Sequence, residues 1–230
     1  MRINRFFTDN GVMSRRAADR AVEEGRVTIN DRVAVLGDQV EPGDRVTLDG
    51  QPVGEAPKKT IIIAYNKPVG IECTSDERVK DNIITAVNYP ERVFHIGRLD
   101  KFSDGLILLT NMGDIVNKIL RARFYHEKEY IVETNGPLNA GIINALASGV
   151  ELDDGPTRPC VVERLASRRL RMVLTEGRNR QIRRMIEHVG LRVSRLRRIR
   201  IMNIHLGKLP VGKWRNLDAK ETAQLMSLLS

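Results

Sequence analysis

From residue 60 onward the chain is dominated by seven segments rich in β-branched and aliphatic residues, at 60–66, 92–96, 106–110, 128–133, 160–165, 170–175 and 193–202. Some follow one another with only a turn between, as 160–165 and 170–175 do, which a strand-helix-strand crossover does not allow. Apolar residues at helical spacing mark five further stretches, at 81–87, 114–122, 139–148, 181–189 and 218–229. Strands that come in runs as well as singly predict an α+β fold, with a large, mostly antiparallel mixed sheet flanked by helices, over a doubly wound parallel sheet.

Ahead of this block, residues 50–59 (GQPVGEAPKK) mix Gly, Pro and charge and read as a linker. The expected division is a small unit at 1–55 and a larger one at 60–230. In the small unit, residues 2–8 predict a short helix ending near Asn10 and Gly11, and Ser14 caps a second helix running to Glu24, with Gly25 beyond. Brief β-prone pieces at 27–29, 33–34 and 46–48 follow, separated by turn residues at Asn30-Asp31, Gly37-Asp38 and Pro42-Gly43-Asp44.

The net charge of +9 is concentrated. Thirteen arginines lie between Arg164 and Arg200, against only Glu176 and Glu187. Arginine suits bidentate phosphate contacts and stacking on bases, so a polyanionic partner is expected. Residues 1–55 hold eight arginines and ten acids, so any nucleic-acid contact there depends on clustering on one face. No apolar run approaches the ~18 residues that would cross a bilayer, and Met1-Arg2-Ile3-Asn4 opens no signal-like stretch, which makes the cytoplasm the expected compartment. Cys73 and Cys160 have no zinc-like spacing, and His95, His126, His188 and His205 are scattered, so neither a metal nor a disulfide framework is expected.

The stretch richest in chemistry is HIGRLDKFSDGLILLTN, residues 95–111. Gly97 permits a sharp backbone approach, Arg98 and Asp100 alternate with apolar neighbours, and Asp104-Gly105 leads into an apolar strand. A carboxylate is thereby set at the mouth of a core. Taken alone, an Arg-x-Asp before a strand reads as a structural salt bridge.

Residues 95–111 resemble the catalytic motif of pseudouridine synthases, in the branch of the RsuA, RluB, RluE and RluF types. YNKPVG at 65–70, HEKEYIV at 126–132 and LTEGRNRQIRRMIEHVG at 174–190 agree with it in the right order. With RIMNIHLGKLPVGKWRNL near the C-terminus, the likeness spans nearly the whole chain and is nearest the RluF type. NRFFTDNGVMSRRAADRAVEEGRVTIN similarly resembles an S4-like RNA-binding domain. The resemblance implies a cofactor-independent isomerisation of uridine to pseudouridine, with Asp100 as the nucleophile, Tyr130 stacking on the uracil and Arg183 pairing with the aspartate. Arg180 and Arg184 are then neighbouring phosphate ligands or surface charges, Arg98 occupies the space of a flipped-out nucleotide, and Asn66, Lys67 and Pro68 shape the pocket. Arg5, Arg15, Arg16 and Arg20 would meet phosphates from the first domain. Phe102 departs from the family pattern, where a polar residue is common at this place. The expected partner is ribosomal RNA, 23S first, with 16S or transfer RNA as alternatives. A non-catalytic RNA-binding or ribosome-assembly factor is the competing class, and a monomer is expected.

Overall fold

The computed structural model describes residues 1–54, 60–76, 78–120 and 125–229. These form two compact units, Met1–Ile61 with Asn111–Gly113, and Ile62–Thr110 with Asp114–Ser230. Residues 55–59, in the expected linker, and 121–122, at the end of the helix expected over 114–122, lie outside the described residues.

The first unit begins with α1 (Ile3–Asp9) and α2 (Arg15–Glu23). Each buries residues at helical spacing, Ile3, Phe6 and Phe7 on α1 and Ala18, Ala21 and Val22 on α2. Ser14 starts α2 by accepting the Ala17 N–H at 3.1 Å, which satisfies one of the four N–H groups a helix start leaves unpaired. Four short strands follow, β1 (Val27–Ile29), β2 (Arg32–Val33), β3 (Val46–Leu48) and β4 (Gln51–Pro52), paired antiparallel in the order β2-β1-β3-β4. Asn30 and Asp31 both take positive φ (50° and 67°), the conformation that closes a two-residue hairpin without splaying its strands. The two helices cover one face of this sheet, and Phe6, Phe7, Val22, Val27 and Val46 belong to a single core.

The second unit is built on a nine-stranded sheet. In chain order its unit comprises β5 (Ile62–Lys67), α3 (Ile83–Val87), β6 (Phe94–Ile96), β7 (Asp104–Thr110), α4 (Gly113–Leu120), β8 (Lys128–Thr134), α5 (Ala140–Ser148), β9 (Glu151–Leu152), β10 (Gly155–Pro156), β11 (Val161–Ala166) and β12 (Arg169–Leu174), then α6 (Gln181–His188), β13 (Val193–Ile201), β14 (Ile204–His205), β15 (Trp214–Asn216) and α7 (Ala219–Leu228). The main path runs β11-β12-β8-β13-β7-β5-β15, with β14 on β13 and β6 on β7, while β9 and β10 form a separate hairpin. The expected α+β class holds. Helix starts follow side-chain caps: Asn82 for α3, Asn139 for α5, and a capping box of Asp218 and Glu221 for α7.

Every strand pair on the main path is antiparallel except β13 with β7, where Arg197 and Arg198 stand beside Asp104 and Gly105. Gly105 is essential to that junction. Its φ is +106°, and a Cβ there would lie 2.2 Å from the carbonyl oxygen of Arg198. β5 and β7 are buried along their whole length, so they form the rigid centre onto which the preceding loop is anchored.

Candidate active site

The loop from Gly97 to Ser103 connects β6 to β7, and backbone contacts hold it at both ends. His95 Nδ1 lies 2.7 Å from the Gly97 carbonyl, and because the carbonyl can only accept, Nδ1 carries the proton. Burial lowers the His95 pKa, favouring this neutral form. The Leu99 N–H donates to Cys73 Sγ at 3.3 Å, and burial pushes the Cys73 thiol up, away from thiolate chemistry. Ser103 N–H donates to the Asp100 carbonyl at 3.0 Å, closing a turn, and Gly70 N–H holds the Lys101 carbonyl at 2.8 Å. Phe102, at the tip of that turn, is 68% exposed.

Arg183 joins this turn to α6. Its Nε lies 3.3 Å from Asp100 Oδ2, while Nη2 donates to Phe102 O at 3.1 Å and to Ser103 Oγ at 3.0 Å. One guanidinium therefore fixes both the carboxylate and the backbone that carries it, a use of a planar fork that lysine would not match. α6 is held in turn through the loop before it. Gln181 accepts from Arg178 N–H at 3.0 Å and donates to Glu176 at 2.6 Å, and the Arg178 guanidinium donates to the carbonyls of Gly155, at 2.7 Å, and Pro156.

Asp100 opens onto a cavity of about 140 Å³. The strand period of two decides what faces it. Lys128 and Tyr130 lie on one face of β8, and across the ladder Tyr130 stands opposite Met172 and Arg198, with Lys128 opposite Leu174 and Ile201. The cavity is accordingly lined by Tyr130, Lys128, Arg198, Leu174, Leu196, Ile201 and Ile96, with Arg98, Arg178 and Arg180 also on its wall. A carboxylate, an aromatic ring and an apolar slot are thus brought together. Such a space accepts a flat, partly polar ring and places it beside a carboxylate.

Of the residues singled out from sequence, Asp100, Tyr130, Arg98 and Arg180 line the cavity. Arg183 reaches Asp100 without lining the cavity itself. Arg98 and Arg180 are exposed, with no side-chain hydrogen bond or ion pair among the described residues, and Arg180 takes a left-handed conformation (φ 48°) at the start of α6. The others differ from expectation. Arg184 is committed to a bidentate pair with Asp154, at 2.7 and 3.1 Å. Asn66 and Lys67 are completely buried, and with Pro68 they stand outside the cavity wall. Asn66 donates to Leu209 O at 2.7 Å, and Lys67 donates to the carbonyls of Pro68 and Ile71 at 2.8 and 2.7 Å. Lys67 thereby braces the turn that carries Gly70, whose N–H holds the Lys101 carbonyl.

The arginine stripe also reads differently in three dimensions. Arg171, Arg178, Arg183, Arg184, Arg195, Arg197 and Arg200 are all within ion-pair distance of carboxylates, among them Glu129 and Asp104 from other strands and Glu127 just before β8. Arg164, Arg168, Arg169 and Arg192 remain exposed, with no side-chain partner among the described residues. In the first unit Arg15, Arg16 and Arg20 are exposed on α2, whereas Arg5 is tied to Asp9 at 3.0 Å.

Lys128 and Arg198 are among the cavity residues that escaped the sequence reading. Lys128 was marked by its place two residues before Tyr130 in a strand, whereas Arg198 was hidden among its basic neighbours. Burial, with Arg198 adding repulsion, pushes the Lys128 ammonium down to about 8. Its folded pKa lies below its unfolded value of 10.5, so the folded state loses this proton first as pH rises. The penalty for burying the charge is therefore full below pH 8 and fades between about 8 and 10.5. Lys128→Met should be more stable than the parent at pH 7, and chemical denaturation across this range should show the gap closing; a gap that widens with pH would contradict this assignment.

Comparison with known proteins agrees with the geometry. A family model described as RNA pseudouridylate synthase matches residues 61–188, and one described as S4 domain matches residues 10–46. The chain is 46% identical over 230 residues to the dual-specificity RNA pseudouridine synthase RluF of Escherichia coli (strain K12), covering 100% of this chain and 79% of that protein. It is 38% identical over 241 residues to an uncharacterized RNA pseudouridine synthase of Aquifex aeolicus (strain VF5), covering 98% and 93% of the two chains. A crystal structure of a pseudouridylate synthase superposes with a TM-score of 0.71 at 27% identity, over 99% of each chain. The chain belongs to the RNA pseudouridine synthase family, as a member of the RsuA/RluF type that carries an N-terminal S4 domain.

Proposed function

We propose that this enzyme converts uridine to pseudouridine in 23S ribosomal RNA, with Asp100 as the nucleophile. The observation that carries the reading is the Asp100 carboxylate, held 3.3 Å from Arg183 and open to a cavity that also presents the Tyr130 ring. The target nucleotide leaves its helix at a cost of about a few kcal/mol, and Arg98, exposed at the cavity wall, fills the vacated space. Asp100 attacks C1′ of the ribose as the bond to N1 breaks; the base turns within the pocket, Tyr130 stacking on it, and C5 then bonds to C1′, releasing the carboxylate. The proton on C5 then passes to water and N1 takes one up, so that the overall change is an isomerisation. No cofactor enters this sequence, because the leaving base is also the incoming nucleophile.

Residues 60–230 constitute the catalytic part in this reading and residues 1–55 the RNA-binding part, with Arg15, Arg16 and Arg20 exposed on α2 for phosphates. The protein works as a monomer in the cytoplasm. The dual specificity named for the Escherichia coli relative supports a second RNA substrate, for which 16S and transfer RNA are the candidates.

The decisive experiment incubates the purified protein with 23S, 16S and transfer RNA transcripts and maps pseudouridine by carbodiimide-dependent primer-extension stops. New stops in 23S RNA are expected. Stops confined to 16S or transfer RNA would move the target while keeping the chemistry, and none in any RNA would leave an RNA-binding factor as the better reading.

A further inference from the structure

Arg198 is a buried cation of the cavity wall whose hydrogen bonding is incomplete. It is 4% exposed, and of its guanidinium nitrogens only Nε is hydrogen-bonded, to Leu106 O at 2.7 Å. Nη2 is buried and has no hydrogen-bond partner. Among the described residues no carboxylate lies within ion-pair distance of Arg198 or of Lys128, which shares its face of the sheet and whose ammonium donates to His126 O at 3.1 Å. The acids nearby are otherwise engaged: Asp100 with Arg183, Glu176 with Gln181 and Arg178, and Asp104 with Arg195 and Arg197.

A buried cation without a counterion or a full set of acceptors is unfavourable, and here a second, half-buried one stands beside it. An occupant that brings both acceptors and negative charge would relieve both deficits. Phosphate would meet the charge but not the shape, since Leu174, Leu196, Ile201 and Tyr130 make the surrounding wall apolar.

We infer that Arg198, with Lys128 beside it, forms a cationic floor that hydrogen-bonds a carbonyl oxygen of the uracil and stabilises the base as it departs. The inference rests on the uridine isomerisation proposed above and assigns it a leaving-group device. When the C1′–N1 bond breaks, its electron pair goes to the ring, and the negative charge given up by the Asp100 carboxylate spreads over N1, O2 and O4. Donors preset at those oxygens are worth more in the transition state than in the ground state, because the oxygens become more basic as the bond lengthens. Once C5 has bonded to C1′ and the carboxylate is released, the charge on the ring is withdrawn and the floor is left as it began.

The test compares single-turnover rates on an RNA hairpin carrying uridine, 2-thiouridine or 4-thiouridine at the modified position, sulfur being a poorer acceptor than oxygen. For the parent protein, one of the two thio substrates should react about tenfold more slowly or worse, and Arg198→Met should lower the rate on uridine by about a hundredfold. In Arg198→Met the penalty for sulfur should vanish, since the donor that distinguishes the two atoms is gone; Arg198→Lys, which keeps the charge, should fold where Met does not and recover part of the rate. An unchanged sulfur penalty in a folded Arg198→Met, or equal rates for all three substrates with the parent protein, would overturn the inference while leaving uridine isomerisation intact. A parent protein inactive on uridine itself would instead remove the functional reading and this inference with it.

Discussion

Asp100→Asn is expected to lower pseudouridine formation by at least about a thousandfold, because an amide lacks the charge and lone-pair basicity to attack the ribose. The change is nearly isosteric, and the loop does not depend on the carboxylate alone. Arg183 retains its bonds to Phe102 O and Ser103 Oγ, and the turn keeps the Ser103 N–H to Asp100 carbonyl bond. The variant should accordingly fold and bind RNA within several-fold of the parent, as read by gel shift, while tritium release from RNA labelled at uridine C5 disappears. Retention of full tritium release would remove the proposed mechanism.

Gly105→Ala should produce the largest loss of stability of any single methyl addition considered among the described glycines. The new Cβ would sit 2.2 Å from Arg198 O and 2.8 Å from Arg198 N, both backbone atoms of the adjacent strand, at a φ of +106°. Neither atom can move without opening the parallel junction of β7 and β13. A cost of at least about 3 kcal/mol follows, which for a chain of this length lowers Tm by roughly 6–12 °C. Gly97→Ala is the contrast: it meets only Leu120 Cδ2, at 2.8 Å, the end of a flexible side chain, and pays mainly for its φ of +71°. Calorimetry on the pair should show the Gly105 variant melting well below the Gly97 one, and equal melting points would mean that the sheet yields at this junction.

Much of the fold was legible because its signals are local. Ser14, Asn139 and Asp218 cap helices where a cap was read or a helix was expected to begin, and the apolar runs at 60–66, 106–110 and 128–133 are strands. The strands that went unread, β4 at the start of the expected linker and β9, β10, β14 and β15, are two or three residues long, too short for a period to show. β15 is a strand only because Trp214 and Asn216 find partners in Tyr65 and Ile63 far along the chain.

The site divides along the same line. The resemblance of four ordered motifs to pseudouridine synthases singled out Asp100, Tyr130 and Arg183 without any coordinates, and the fold brings Asp100 to Arg183 and to a cavity that Tyr130 lines. The sequence by itself also determined the S4 and synthase modules and the positions of their helices, all of which follow from neighbours within a few residues. Tertiary structure alone decided what each charge does. Thirteen arginines in one stretch suggested a single polyanion-binding stripe, but seven of them meet carboxylates within ion-pair distance, and Arg198 is buried in the cavity wall. Lys67, read as a pocket residue, is spent on two backbone carbonyls. The physical reason is that a charge is defined by its surroundings, and in a sheet those are supplied by strands distant in sequence, Glu129 for Arg171 and Arg200, and Asp104 for Arg195 and Arg197.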